Sequence, residues 1–194
     1  MHSADIELIQ NAFGLIDFTK DDYSEFYEMW SECEFKRGET ITDLGQVERS
    51  FYIVKKGVQV VYILDKNGNQ KVIGFSFDGS FSGIYDSYLH KKPTKYTLSS
   101  VTPSKLLRLT YEDYSSLFDK YPSFDRWGRL AHQELLIGRV NREIELITLS
   151  ANERFEKFMA RCPEPLKTIP QKYLASYLNM TPETFSRLRK NVKI

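Results

Sequence analysis

Turn residues thin out along this chain in a way that divides it: eight of its ten glycines precede residue 84 and none follows Gly138. A glycine-rich stretch can reverse direction repeatedly, whereas a long stretch without glycine or proline is committed to helix, so the two parts require different architectures. Between residues 35 and 109 short runs of β-branched and aromatic residues alternate with turn signals, the pattern of an antiparallel sandwich or barrel. The runs include Phe51-Tyr52-Ile53-Val54, residues 58–64, residues 71–77 and Leu106-Leu107-Arg108-Leu109. Asp65-Lys66-Asn67-Gly68 predicts a hairpin turn, because Asn and Gly tolerate positive φ. Val58, Val60 and Tyr62 alternate as one buried face. Ahead of these strands Thr19 opens a predicted helix in which Tyr23, Phe26, Tyr27 and Trp30 recur at helical spacing, an aromatic stripe for packing on the strands.

After Tyr121-Pro122 the hydrophobic period changes from that of a strand to that of a helix. Leu130, Ile137, Val140, Ile144 and Ile147 follow one another at spacings of 7, 3, 4 and 3, a coiled-coil seam interrupted at Gln133. Such a seam needs a partner. Two readings stay open: dimerisation through this seam, or packing on the helix's own domain through Trp127, Ala131 and Leu135, and one helix can do both. Ser150-Ala151-Asn152-Glu153 then reads as a capping box that starts a new helix, ended by the prolines of Cys162-Pro163-Glu164-Pro165. The expected organisation is a β-rich domain over 1–121, a dimerisation helix over 122–148 and a C-terminal domain over 149–194.

Residues 169–190 form the most informative segment. Leu174, Leu178, Met180, Phe185 and Leu188 supply an apolar interior for two short helices, and Ala175 is small where they cross. Asn179 stands at the turn, where a left-handed conformation is needed, and Thr181-Pro182 is a helix-start signature. The outward residues Glu183, Thr184, Arg187 and Lys190, with Arg189 and Lys193 along the flank, suit a DNA major groove. Arginine donates bidentately to guanine, glutamate accepts from cytosine, and lysine neutralises phosphate. Charge agrees: the net +1 of the 194 residues is the sum of +5 over residues 150–194 and −4 over the rest. A polar helical hairpin facing solvent is the alternative.

Composition excludes several classes. At 41% hydrophobic and 27% charged the chain is of ordinary globular type. No stretch has the roughly 18–20 apolar residues of a membrane span, and residues 1–5 lack the start of a secretory signal, so a cytoplasmic location with no membrane partner is expected. Cys33 and Cys162 form no CxxC pair and read as reduced packing residues; His2, His90 and His132 share no ligand spacing, and neither metal nor cofactor is expected. There is no Ser/His/Asp set, no Walker loop and no HExxH motif, so an enzyme is not expected.

With these features in order, the chain resembles the catabolite activator protein/fumarate-nitrate regulator (Crp/Fnr) superfamily over nearly its full length. The resemblance implies an α+β protein: an N-terminal antiparallel β-roll of the jelly-roll-like cyclic-nucleotide-binding type, a long dimerisation helix, and a C-terminal helix-turn-helix of winged-helix type. It also implies a homodimeric transcription regulator that binds an inverted repeat in double-stranded DNA, meets RNA polymerase, and takes a small-molecule effector. Glu183 and Arg187 match the family's base-reading pair, and Thr181, Thr184, Arg189 and Lys190 complete the expected DNA face. Pro182 replaces the basic or polar residue usual before the glutamate. Residues 163–168 are short for a wing hairpin.

The sensor departs further. The family's phosphate-binding cassette corresponds to residues 79–95, and the expected effector pocket comprises Ser80, Ser82, Gly83, Ile84, Tyr85, Thr94, Lys95 and Tyr96. Gly83 matches, but Ile84 stands where glutamate binds ribose and Thr94 where arginine counters the cyclic phosphate. Lys91, Lys92 or Lys95 are the substitutes on hand, without arginine's bidentate fork. Tight binding of cyclic AMP is not expected, because a buried phosphate without its countercharge is costly. The runner-up function is a small-molecule or cyclic-nucleotide binding protein whose DNA contact is secondary or lost.

Overall fold

The computed structural model describes residues 2–19, 22–161 and 168–190. The chain divides into two compact units, one of residues Met1–Val61 with Phe75–Ala131, the other of Tyr62–Gly74 with His132–Ile194.

The described residues contain eight strands: β1 (Ser31–Phe35), β2 (Thr40–Thr42), β3 (Ser50–Lys56), β4 (Gln59–Leu64), β5 (Gln70–Ser76), β6 (Phe81–Ser82), β7 (Thr97–Ser100) and β8 (Ser104–Thr110), of which β4 from Tyr62 and β5 up to Gly74 belong to the second unit. They form two four-stranded sheets of order β1-β8-β3-β6 and β2-β7-β4-β5. Pairing of β1 with β8, β3 with β8, β3 with β6 and β2 with β7 is antiparallel, and β3 carries an irregularity between Val54 and Lys56. The predicted runs all lie on strands. Close approach is paid out at Gly57, with φ of +109°, where a Cβ would stand 2.5 Å from Ser104 Oγ.

Helices cover this roll. In chain order they are α1 (Ser3–Ala12), α2 (Ser24–Glu28), α3 (Tyr85–His90), α4 (Tyr111–Lys120) and α5 (Pro122–Thr148). Thr110 caps α4 by accepting the Asp113 amide at 3.1 Å. Phe13, at the end of α1, is fully buried and meets Trp127 at 4.4 Å, Phe81 at 5.2 Å, Phe26 at 5.4 Å and Phe124 at 5.6 Å between ring centroids. Offset and edge-to-face pairs of this kind add to the burial of the rings themselves. Asp5, also buried, ties α1 to the sheet through Lys55 at 2.7 Å.

Two expectations are corrected here. Thr19 does not open the aromatic helix: its amide and hydroxyl both bond Asp17 Oδ1, at 3.2 and 2.6 Å. Asp22 instead accepts the Ser24 amide at 2.9 Å, and the helix is the single turn Ser24–Glu28, with Trp30 beyond it. The alternation on β4 is also incomplete, because Gln59 is as buried as Val60; Ser104 Oγ accepts its side-chain N–H at 2.9 Å, which offsets the cost of burying the amide.

The second unit begins with the tip of the β4–β5 hairpin. Asp65 organises it, its carboxylate accepting the Asn67 and Asn69 amides at 2.9 Å each while Gly68 takes φ of +78°. The unit continues with the later part of α5, then α6 (Ala151–Arg161), α7 (Gln171–Tyr177) and α8 (Pro182–Lys190). The capping box is formed as predicted, with Glu153 accepting the Ser150 amide at 2.8 Å and Ser150 Oγ accepting the Glu153 amide at 3.3 Å. Pro122 sits at the first position of α5, where its missing N–H costs nothing. No helix among the described residues is long and apolar enough to cross a membrane.

Candidate nucleic-acid interface

The pair α7 and α8 is held by a small sealed interior. Ile169, Leu174, Ala175, Leu178 and Phe185 are buried, with Phe155 and Phe158 of α6 beneath them, and the Phe155 and Phe185 rings meet edge-on at 5.4 Å. Met180 and Leu188, predicted as interior, are half-buried. Asn179 adopts φ of +51°, the left-handed turn its position required, and the Met180 amide closes back on Ala175 O at 3.0 Å. Thr181 caps α8: its Oγ accepts the Thr184 amide at 3.2 Å and lies 3.2 Å from the Thr184 hydroxyl.

The outward face of α8 is as its period demands. Glu183, Arg187 and Lys190 are exposed, Thr181 is exposed at the cap, and Thr184 and Arg189 are half-buried on the flank. The Glu183 amide at the helix start, and after it the Thr181 hydroxyl, hold the Glu183 carboxyl below its usual range. Glutamate is therefore an anion and a pure acceptor here. Lys193 and the wing region, residues 163–167, lie outside the described residues, as does Cys162; Cys33 is half-buried, and burial pushes its thiol up.

The turn is clamped by an arginine the sequence reading did not single out. Arg154 of α6 donates Nε to Leu178 O at 2.8 Å and Nη2 to Asn179 O at 3.1 Å, and it also bonds Leu149 O. Those carbonyls belong to the left-handed turn and the end of α5, so one guanidinium spans both. Arg142 of α5 donates to Tyr177 O at 2.8 Å and lies over the Tyr177 ring at 3.8 Å. Glu145 of α5 pairs with Arg161 of α6 at 2.8 Å. Nothing local marks Arg142 and Arg154, because the Tyr177, Leu178 and Asn179 carbonyls they bond lie far along the chain.

Along α5 the predicted seam stays uncovered within one chain. Ile137, Val140, Ile144 and Ile147 are 45–76% exposed, and Leu130 is half-buried. Trp127 is buried and Ala131 packs against the core, but Leu135 is exposed, so packing on the helix's own domain uses only the first two of its three expected residues.

The sensor candidates lie on the turn before β6, on α3 and on the loop before β7. Ser80 Oγ is engaged in the turn, accepting the Phe77 amide at 2.8 Å; Ser82 is buried, and its Oγ has no protein partner. Gly83 takes φ of +134°, Ile84 is buried, and Tyr85 is half-buried at the start of α3. Thr94 is buried, and its hydroxyl accepts the Tyr96 amide at 2.9 Å; Tyr96 is half-buried and Lys95 exposed. Lys91 and Lys92 are exposed too, Lys91 lying 4.0 Å over the Tyr111 ring. Beneath the cassette is Glu48, unnoticed in the sequence. It is buried and accepts from Thr42 Oγ at 2.7 Å and the Ser50 amide at 3.1 Å, and burial pushes its carboxyl up against the pull of these bonds and the Ile84 amide.

Comparison with known proteins is consistent with this arrangement. A cyclic nucleotide-binding domain matches residues 32–121. The nitrogen fixation regulation protein FixK of Bradyrhizobium diazoefficiens is 26% identical over 175 residues, 84% of this chain and 72% of its own. The structure of FixK2 from Bradyrhizobium japonicum superposes with a TM-score of 0.72 at 15% identity, covering 83% of each chain. Residues 32–121 are thus a cyclic nucleotide-binding domain, and the chain as a whole is similar to regulators of the Crp/Fnr superfamily. A second structure, the c-di-GMP-responsive global regulator CLP of Xanthomonas campestris, shares the fold of this chain with a TM-score of 0.64 at 15% identity, over 95% of this chain and 90% of its own.

The turn clamp has a measurable consequence. Arg154→Ala removes charge-assisted bonds to carbonyls at the turn, an expected loss of about 1.5–3 kcal/mol. Urea unfolding should show that loss, and the Met180 and Thr184 amides should exchange faster. Unchanged exchange at both would show that the turn holds without the arginine.

Proposed function

We propose that this protein is a cytoplasmic homodimer that binds an inverted-repeat DNA site and regulates transcription in contact with RNA polymerase, under control of a sensor that does not take cyclic AMP. In this reading residues 1–121 sense, 122–148 dimerise and 149–194 bind DNA. The observation that carries it is the division of α8 into two sides. Phe185 is sealed on Phe155, while Glu183, Arg187 and Lys190 face outward from a helix fixed by a capped start and a clamped turn. Base readout needs side chains held on a rigid element, and Thr181, Thr184 and Arg189 extend the same face toward the backbone.

The seam of α5 supports the homodimer, since four β-branched residues on one face lose contact with water when a second copy covers them. Ile144→Asp is expected to give monomers in sedimentation at micromolar concentration, where the parent is a dimer. A monomeric parent, or an unaffected variant, removes the seam from the interface. A two-fold dimer places its half-sites about 34 Å apart.

Ser80 and Thr94 spend their hydroxyls within their own loops, Ile84 offers no polar group, and the nearby lysines face outward. That supports a sensor without a cyclic-phosphate site; Ser82, Gly83, Tyr85, Lys95 and Tyr96 remain the surface for an effector of another kind. Calorimetry with cyclic AMP is expected to show no binding, and micromolar affinity would overturn the point.

Arg187 and Lys190 are expected to divide the work on DNA. Arg187→Ala should cost about 1–3 kcal/mol at the preferred site and flatten preference at one base position. Lys190→Ala should weaken all sequences alike and lower the salt slope by about one. Titrations on matched and mismatched duplexes at several salt concentrations separate the two; equal losses on both duplexes for Arg187→Ala would pass base reading to Glu183.

A further inference from the structure

We propose that the β4–β5 hairpin is part of the DNA-binding surface: anchored on α7 by Ser176, it sets Lys71 beside Lys172 in a cleft that takes a phosphate of the DNA backbone. The inference rests on the DNA-binding reading above and adds to it a contact from outside the helix-turn-helix.

The anchor is specific. Ser176 Oγ donates to Gln70 O at 3.0 Å and accepts the Val72 amide at 2.9 Å, so one hydroxyl satisfies both groups that a neighbouring strand would otherwise take from residues 70–72. Arg139 of α5 adds a longer bond to Ile73 O at 3.4 Å. Lys71 lies between the two peptide groups that Ser176 holds, and its position relative to α7 is therefore set by backbone bonds rather than by its own flexible stem.

The cleft so formed has a volume of about 480 Å³ and is lined by Lys71 and Lys172, by neutral polar residues including Asn69, Tyr173 and Ser176, and by the start of α8 at Thr181 and Pro182. No carboxylate is among its lining residues. Lys71 and Lys172 both line this cleft, with Lys172 Nζ 4.9 Å from the Tyr173 ring centre, and a phosphate seated between the two side chains gains an attraction from each. Asp65 approaches Lys71 only at 3.6 Å, on an exposed surface where such a pair is worth little, and it leaves the lysine free to turn toward a stronger anion. The cleft opens at the end of α8 that meets base edges in a helix-turn-helix, where phosphate contacts set the register of the helix in the groove.

The test uses the full chain, salt titrations, and two duplexes of equal length, one selected from a random pool and one unrelated. Lys71→Ala is expected to weaken both duplexes by the same factor and to reduce the magnitude of the salt slope by about one, as loss of one phosphate contact requires. Ser176→Ala should reproduce most of that loss, Ser176→Thr should restore it, and Lys71→Ala added to Ser176→Ala should cost little more. Arg187→Ala is measured alongside. If it abolishes sequence preference while Lys71→Ala leaves affinity and slope unchanged, or tightens binding, the hairpin lies outside the interface and the proposal fails. If neither Arg187→Ala nor Lys71→Ala has any effect, the DNA-binding reading itself fails. Strict additivity of Ser176→Ala and Lys71→Ala would show that Ser176 does not place Lys71.

Discussion

Everything outward on α5 depends on how its first turns are buried. Phe124 and Trp127 enter an aromatic cluster with Phe13 and Phe26, and burying rings of this size contributes about 1.5–3 kcal/mol each. The cluster holds the first turns of the helix through tilted and edge-on ring contacts. With Trp127 and Ala131 turned inward, the period of 3.6 residues carries Ile137, Val140, Ile144 and Ile147 along one continuous exposed line. One helix thereby divides its surface between its own domain and the partner copy proposed above.

At the other end of the helix the fixing interactions are polar. Arg142, Glu145 and Arg154 join α5, α6 and the turn between α7 and α8 through carbonyl and carboxylate partners rather than through further apolar burial. A unit of this size has little core to spend, and its few buried rings are concentrated under α8. Hydrogen bonds to carbonyls are directional where apolar contacts are not, so they specify the angle between helices once burial has brought them together. The charged groups left over on α8 have no such internal partner among the interactions described above and remain available to an external one.

What could be read from the sequence was what is decided locally. The Asp65 turn, the Ser150 capping box and the Asn179 turn each depend on residues within a few positions of one another, and the hydrophobic period after Pro122 marks α5. Thr19 misled because a threonine ahead of an aromatic stripe resembles a cap, whereas Asp17 and Asp22 capture the local amides first and shorten the helix. Helix α1 was missed because Ile9 and Phe13 become core only against α2 and α5. Arg154, Ser176 and Glu48 were missed for the same reason: their partners are backbone groups far along the chain or buried hydroxyls, and no spacing rule encodes them. Gln59 shows the converse error, since a polar residue in a strand reads as outward until Ser104 is seen to accept from it.

Glu48 also bears on what the proposed sensor admits. Its carboxylate is buried below the cassette and draws on the Thr42 hydroxyl and the Ser50 and Ile84 amides, while Ser87 Oγ accepts the Glu48 amide at 3.0 Å. Amides engaged by an internal acceptor are no longer free for an external one, and a buried carboxyl beside the cassette supplies no positive charge to an anion brought there. Lys91, Lys92 and Lys95 are exposed and supply no countercharge from within. The electrostatics of this unit therefore disfavour a ligand that must bury negative charge near Ile84. They leave room for one that is neutral there and can bond the Ser82 hydroxyl, which is buried without a protein partner.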